Sequence, residues 1–199
     1  NYFKKDTSYF DPILWHNNEQ KPYQGYCSDI FTENAIEFIE KNKNNPFFCY
    51  LSFNAPHNPL QVPDEYYQAY KTIDPTDGFD PELITHEKIS EKTKDNTRKV
   101  YAMVTNIDDN LKKLFNKIDE LGIKDNTIVI FMTDNGPQHV RYVAGMKGRK
   151  SSVYNGGIRV PFFLRFPAMF SGNQEVDQIT AHIDLLPTLS KLCNVEMPR

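Results

Sequence analysis

Two hard-oxygen side chains stand side by side at Asp134-Asn135, directly after the apolar run Thr127 to Met132. A carboxylate beside an amide carbonyl suits a Ca²⁺ or Mg²⁺ ion. The same pair, followed by Gly136, also has the composition of a tight turn. Calcium takes about 6–8 oxygens, so a metal reading requires most of the ligands to come from elsewhere. Downstream lies a glycine-rich basic stretch with Arg141, Lys147, Arg149, Lys150, Arg159 and Arg165, and with no Asp or Glu from Asn135 to Gln174. The chain is net −3, so outside that stretch it holds 17 basic (23 − 6) against 26 acidic residues, or −9. Positive charge gathered on a Gly-rich loop after an apolar run makes an anion site beside a cation site.

Lys150 precedes Asn155-Gly156-Gly157, where backbone can approach an anion closely. A lysine ammonium is a compact charge matched to a sulfate or phosphate oxygen; the alternative is a solvated surface lysine. His57 sits between prolines in Ala55-Pro-His-Asn-Pro-Leu60. It can donate to a substrate oxygen or move a proton, or be a loop histidine satisfied locally. His16, His86, His139 and His182 have weaker contexts. Asp108-Asp109 resembles a carboxylate pair, but neighbours on a helix point about 100° apart and do not share a site.

These residues need elements to hold them. Ser28 or Asp29 is placed to cap a helix reaching Lys43, with Ile30, Phe31, Ala35, Phe38 and Ile39 on one face. The run 47–53 reads as a buried strand of a parallel sheet. Pro63 opens a short helix to Lys71, and 72–90 reads as an inserted loop. From Lys92 to Leu121 the apolar residues recur at helical spacing until Gly122. Strands are expected over 127–133 and 160–166, and a last helix over 183–192. Residues 1–25 show no periodicity and read as irregular. This order predicts an α/β fold, a mixed and largely parallel sheet with helices on both faces. Ligands of such sheets bind past the carboxyl ends of the strands, where His57 and Asp134-Asn135 fall.

The composition is that of a globular chain, 39% hydrophobic and 25% charged. The balance of −3 does not indicate nucleic-acid binding, and no apolar run approaches the roughly 20 residues of a membrane span. Cys27, Cys49 and Cys193 are far apart, against a zinc site or a disulfide framework. The sequence has no Asn-x-Ser/Thr acceptor, which favours a bacterial source.

Five segments together resemble the sulfatase family of the alkaline-phosphatase-like superfamily: 55–60, 101–110, Thr133-Asp-Asn-Gly-Pro137, Lys150 through Pro161, and His182-Ile-Asp-Leu-Leu-Pro-Thr188. The resemblance implies that Asp134 and Asn135 are ligands of a divalent cation, usually calcium. It implies that Lys150 and His57 contact sulfate, as substrate-binding and catalytic residues. Asn155 departs from the Glu more usual in the family. The family's nucleophile, a formylglycine made within C/S-x-P/A-x-R, has no counterpart here, because no Cys or Ser has that context. Residues 1–199 are therefore expected to form part of a sulfatase catalytic domain, inactive alone, with the formylglycine and an acidic metal-ligand pair upstream. The implied substrate is a sulfated carbohydrate or aryl sulfate, and the implied compartment is periplasmic or extracellular. A phosphate or phosphonate ester hydrolase and a non-catalytic sulfated-glycan-binding module are the alternatives.

Overall fold

The computed structural model describes residues 8–77 and 89–197. The chain forms two compact units, Asn1–Ala168 and Met169–Arg199. His86 and part of the expected loop 72–90 lie outside the described residues.

The first unit opens with a hairpin that the sequence reading left irregular. Strands β1 (Ile13–His16) and β2 (Glu19–Pro22) pair antiparallel, Leu14 opposite Lys21. Asn17 and Asn18 between them both take positive φ, 49° and 68°, the geometry of a two-residue turn that follows strand twist. An isolated bridge from Phe10 to Tyr26 then leads the chain into helix α1 (Cys27–Asn42). The expected cap is corrected. Tyr26 occupies the cap position, while Ser28 and Asp29 lie inside the first turn, where Asp29 turns to a neighbouring helix instead of to backbone.

Helix α2 (Asp64–Gln68) begins after Pro63, and helix α3 runs thirty residues, Glu91–Glu120. The Ser90 side chain accepts the Thr93 amide at the start of α3, and Gly122, at φ 69°, ends it. Apolar residues of α1 and α3 meet in two clusters. Tyr9, Tyr26, Cys27, Ala55, Met103 and Ile107 form one, with Phe53 and Phe131 packed on it. Ile39, Leu114 and Ile118 form the other, with Phe47, Leu51 and Val129. Burial of a large aliphatic side chain such as Met103, Ile107 or Leu114 stabilises the fold by roughly 1.5–3 kcal/mol.

Strand β3 (Val129–Met132) pairs antiparallel with β4 (Phe162–Arg165), Phe131 opposite Phe163. Between them lies the one-turn helix α4 (Asn155–Ile158). The expected strand 47–53 needs correction: among the described residues it pairs with no strand. It keeps a strand's period of two, with Phe47, Cys49, Leu51 and Phe53 partly covered and Phe48 and Tyr50 open at 79% and 82% exposure. Phe47 and Val129 share one cluster, Phe53 and Phe131 the other, so this segment and β3 run in the same sense over α1 and α3. Among the described residues the two ladders are antiparallel, and the parallel relation of 47–53 to β3 is carried by packing. The second unit contains a 3₁₀ turn, His182–Asp184, leading into α5 (Leu185–Leu192).

Candidate active site

Both runs that cross the helices, 47–53 and β3, pass from the cluster around Ile118 to the cluster around Met103. His57 follows the first by four residues and Asp134 follows the second by two. The turn carrying His57 is tied to itself: its amide donates to the Asn54 carbonyl at 2.9 Å, and its Nδ1 donates to the Asn58 carbonyl at 3.0 Å. The ring is exposed.

Past β3, Asp134 is exposed and Asn135 half-buried, and the Asn135 amide nitrogen donates to the Asp134 carboxylate. That bond fixes the amide so that the Asn135 side-chain oxygen is left for another role. Gly136 then donates to the Gly157 carbonyl at 2.9 Å, and the Lys150 amide donates to the Pro137 carbonyl at 2.9 Å. A third bond joins the Gly156 amide to the Lys147 carbonyl at 2.8 Å. Asp134-Asn135 and Lys150 thus sit on one loop, closed on itself through backbone.

Closure requires glycine. A Cβ on Gly136 would lie 1.9 Å from the Gly156 carbonyl oxygen, and one on Gly156 would lie 2.3 Å from that of Gly148. Gly136→Ala is expected to force the two backbones apart, at about 1–3 kcal/mol by the usual scale of overpacking. Thermal unfolding of the full-length protein checks this; an unchanged midpoint would show that the contact yields without cost.

The basic stretch does not act as one patch. Lys147 Nζ lies 4.4 Å above the Tyr154 ring, and Arg165 pairs with Asp119 at 2.9 Å beside the Phe115 ring. Arg141 is half-buried with its Nε lacking a hydrogen-bond partner, and burial holds its pKa below the usual guanidinium value, opposed by nearby Tyr101. Lys150 is the half-buried lysine whose backbone is tied to the ligand-pair segment.

Other sequence candidates serve structure. Asp109 accepts the Tyr66 hydroxyl at 3.0 Å, Asp108 lines a shallow depression with Lys112 and Phe115, and His16 bonds Tyr23 at 2.9 Å. His182 belongs to the 3₁₀ turn of the second unit, and His139 is half-buried in the loop. Sequence reasoning missed Tyr9, whose hydroxyl bonds the His57 turn, and the Gln61 contacts to the Tyr9 amide and the Tyr26 hydroxyl beside it.

A divalent cation fits the chemistry of Asp134 and Asn135, both oxygen donors. Among the described residues, however, no three His, Cys, Asp or Glu side chains converge to complete a site.

A family model described as Sulfatase matches residues 3–195. The uncharacterized sulfatase YdeN of Escherichia coli is 30% identical over 97% of this chain and 32% of its own length. An ulvan-active sulfatase of Formosa agariphila is 29% identical over 94% of this chain and 37% of its own. The crystal structure of Ps i-CgsB with k-i-k-neocarrahexaose superposes with a TM-score of 0.75 at 29% identity, covering 94% of this chain and 38% of that one. The chain spans about a third of the length of these relatives. With nearly every residue inside the matched region and the α/β architecture of solved sulfatases reproduced, the chain belongs to the sulfatase family.

Proposed function

We propose that these 199 residues are part of a sulfatase catalytic domain and carry one half of its site. Lys150 and His57 bind the oxygens of a sulfate ester, Lys150 offsetting charge that builds on the sulfuryl group and His57 giving a proton to the leaving oxygen. Asp134 and Asn135 hold a divalent cation, calcium or magnesium, which when bound polarises the sulfate. Polypeptide outside these residues supplies the remaining metal ligands and the nucleophile, a formylglycine, so the chain alone is inactive.

The observation that carries this reading is the closed loop. Gly136 to Gly157 and Lys150 to Pro137, both at 2.9 Å, hold an oxygen-ligand pair and a lysine in a fixed relation, which a bare turn does not need. Relatives named for ulvan activity and solved with a neocarrahexaose support a sulfated carbohydrate as substrate, with an aryl sulfate as the assay analogue. Polymers of that kind do not enter cells intact, which favours a periplasmic or secreted enzyme. Among the described residues no helix is long and apolar enough to cross a membrane.

The test is release of inorganic sulfate from an aryl sulfate and from sulfated oligosaccharides by the full-length protein, before and after chelation and calcium return. Turnover that is lost on chelation and recovered with calcium is expected, with none from the 199-residue chain. Phosphate release in place of sulfate would move the assignment to the phosphoesterases. Tight glycan binding without any hydrolysis would leave only a binding module.

A further inference from the structure

Arg141 differs from the other placed cations of its loop. Lys147 lies on the Tyr154 ring and Arg165 pairs with Asp119. The Arg141 side chain is half-buried, its Nε is enclosed with no hydrogen-bond partner, and among the described residues no carboxylate pairs with it. Its own stretch cannot provide one, because no Asp or Glu occurs from Asn135 to Gln174. A cation drawn partly out of water without a counter-charge costs free energy, which a matching anion offsets.

The neighbour of this cation is Tyr101. Burial lowers the Arg141 pKa and raises that of Tyr101, and each group opposes the other's shift. The Tyr101 ring is set against Tyr70, 5.9 Å between centroids and inclined at 61°, and the Tyr70 hydroxyl shares a hydrogen bond with the Thr105 hydroxyl at 2.6 Å. The Tyr101 hydroxyl has no hydrogen-bond partner among the described residues. Two donors, one charged and one neutral, thus stand close together with nothing to donate to. Their place is also informative. Tyr101 is two residues from Met103, in the cluster to which the run before His57 and β3 both lead, and Arg141 lies on the loop between Asp134 and Lys150.

We infer that Arg141 and Tyr101 form a second oxyanion subsite on the loop of the sulfate site, taking a further anionic substituent of the substrate, a carboxylate or a second sulfate ester. This rests on the sulfatase reading above. Because Nε is enclosed, the two terminal nitrogens of the fork meet the oxyanion, a geometry that suits two oxygens side by side. The Tyr101 hydroxyl donates to one of them. No bond is made or broken here: the subsite sorts substrates, while Lys150 meets the sulfate that leaves.

The test uses the full-length enzyme and three disaccharides from the saccharide class it desulfates. All carry the same target sulfate; the adjoining sugar is neutral, bears a carboxylate, or bears a second sulfate. The wild type is expected to prefer one anionic disaccharide over the neutral one in kcat/KM, and which one names the substituent. Arg141→Met should shrink that preference about 10–100-fold, mainly through KM, the scale of one charge-assisted contact. Tyr101→Phe should shrink it about threefold. A wild type that treats all three alike overturns the inference and leaves the sulfatase reading intact. So does an Arg141→Met loss that is equal on all three, which would make the arginine a structural cation. A wild type that releases no sulfate from any saccharide overturns both readings. Should Arg141→Met not fold, salt decides on the wild type: the preference should narrow as ionic strength rises, and one that salt leaves unchanged would overturn the subsite.

Discussion

Lys150→Ala in the full-length enzyme is expected to lower kcat by about 10²–10³-fold, the usual cost of deleting one donor from a preorganised anion site. The Michaelis constant should change far less, because the charge that Lys150 meets grows as the S–O bond breaks. Three other cations of the basic stretch are held in surroundings of their own. Lys147 lies over Tyr154, Arg165 is engaged by Asp119, and Arg141 is half-buried beside Tyr101. Fold should be untouched, since the Lys150 contact that closes the loop is made by its backbone amide. Lys150→Arg should recover only part of the loss, a planar fork being a poor substitute for a compact point charge. Steady-state kinetics on an aryl sulfate decide it. A drop of less than about fivefold in kcat would remove Lys150 from the site and leave the basic loop without its central role.

How much of this was readable in the sequence follows from which interactions are local. The span of α3 came through within a residue, because apolar positions recur at helical spacing from Val100 to Leu121 and glycine stops it. Strand β3 and the Asp134-Asn135 turn were legible for a similar reason, a short apolar run ending in turn formers. The β1–β2 hairpin was not, although Asn17-Asn18 was its turn signal, because β2 is polar throughout and carries no buried face to betray a strand. Residues 47–53 read as a buried strand of a parallel sheet, but the segment is extended with one face open, and pairing depends on a neighbour that local sequence does not name. For the proposed site, residue types and resemblance single out His57, Asp134, Asn135 and Lys150. What sequence could not show was support: the Tyr9 grip spans about fifty residues and uses carbonyls, which every residue has. Nor could counting charges show that Lys147 and Arg165 were engaged elsewhere.

The same blindness to long-range polar contacts hid Asp29, whose removal should give the largest loss of stability among the polar residues. Its Oδ1 accepts from Asn106 Nδ2 at 2.9 Å and from Asn110 Nδ2 at 2.6 Å, tying the first turn of α1 to the middle of α3. Those asparagines are 0% and 1% exposed, and the Asn110 side-chain oxygen already lacks a partner. With Asp29→Ala, the Asn106 amide loses the acceptor it has in the structure. Asn110 keeps only contacts to Asn106, to its carbonyl at 2.9 Å and its side-chain oxygen at 3.2 Å. A buried donor left unmade costs about 1–3 kcal/mol, and the lost acceptor was a carboxylate, so a total of about 3 kcal/mol is expected. For a domain of this size that corresponds to a fall of roughly 6–12 °C in melting temperature. Asp29→Asn keeps an acceptor oxygen and should lose about a third as much. Thermal melts of the full-length protein, with exposed Asp108→Ala as reference, provide the check. If Asp29→Ala melts no lower than that reference, the network is not a tie between the helices. Activity should fall along with stability, because α1 and α3 pack against both the run that leads to His57 and β3.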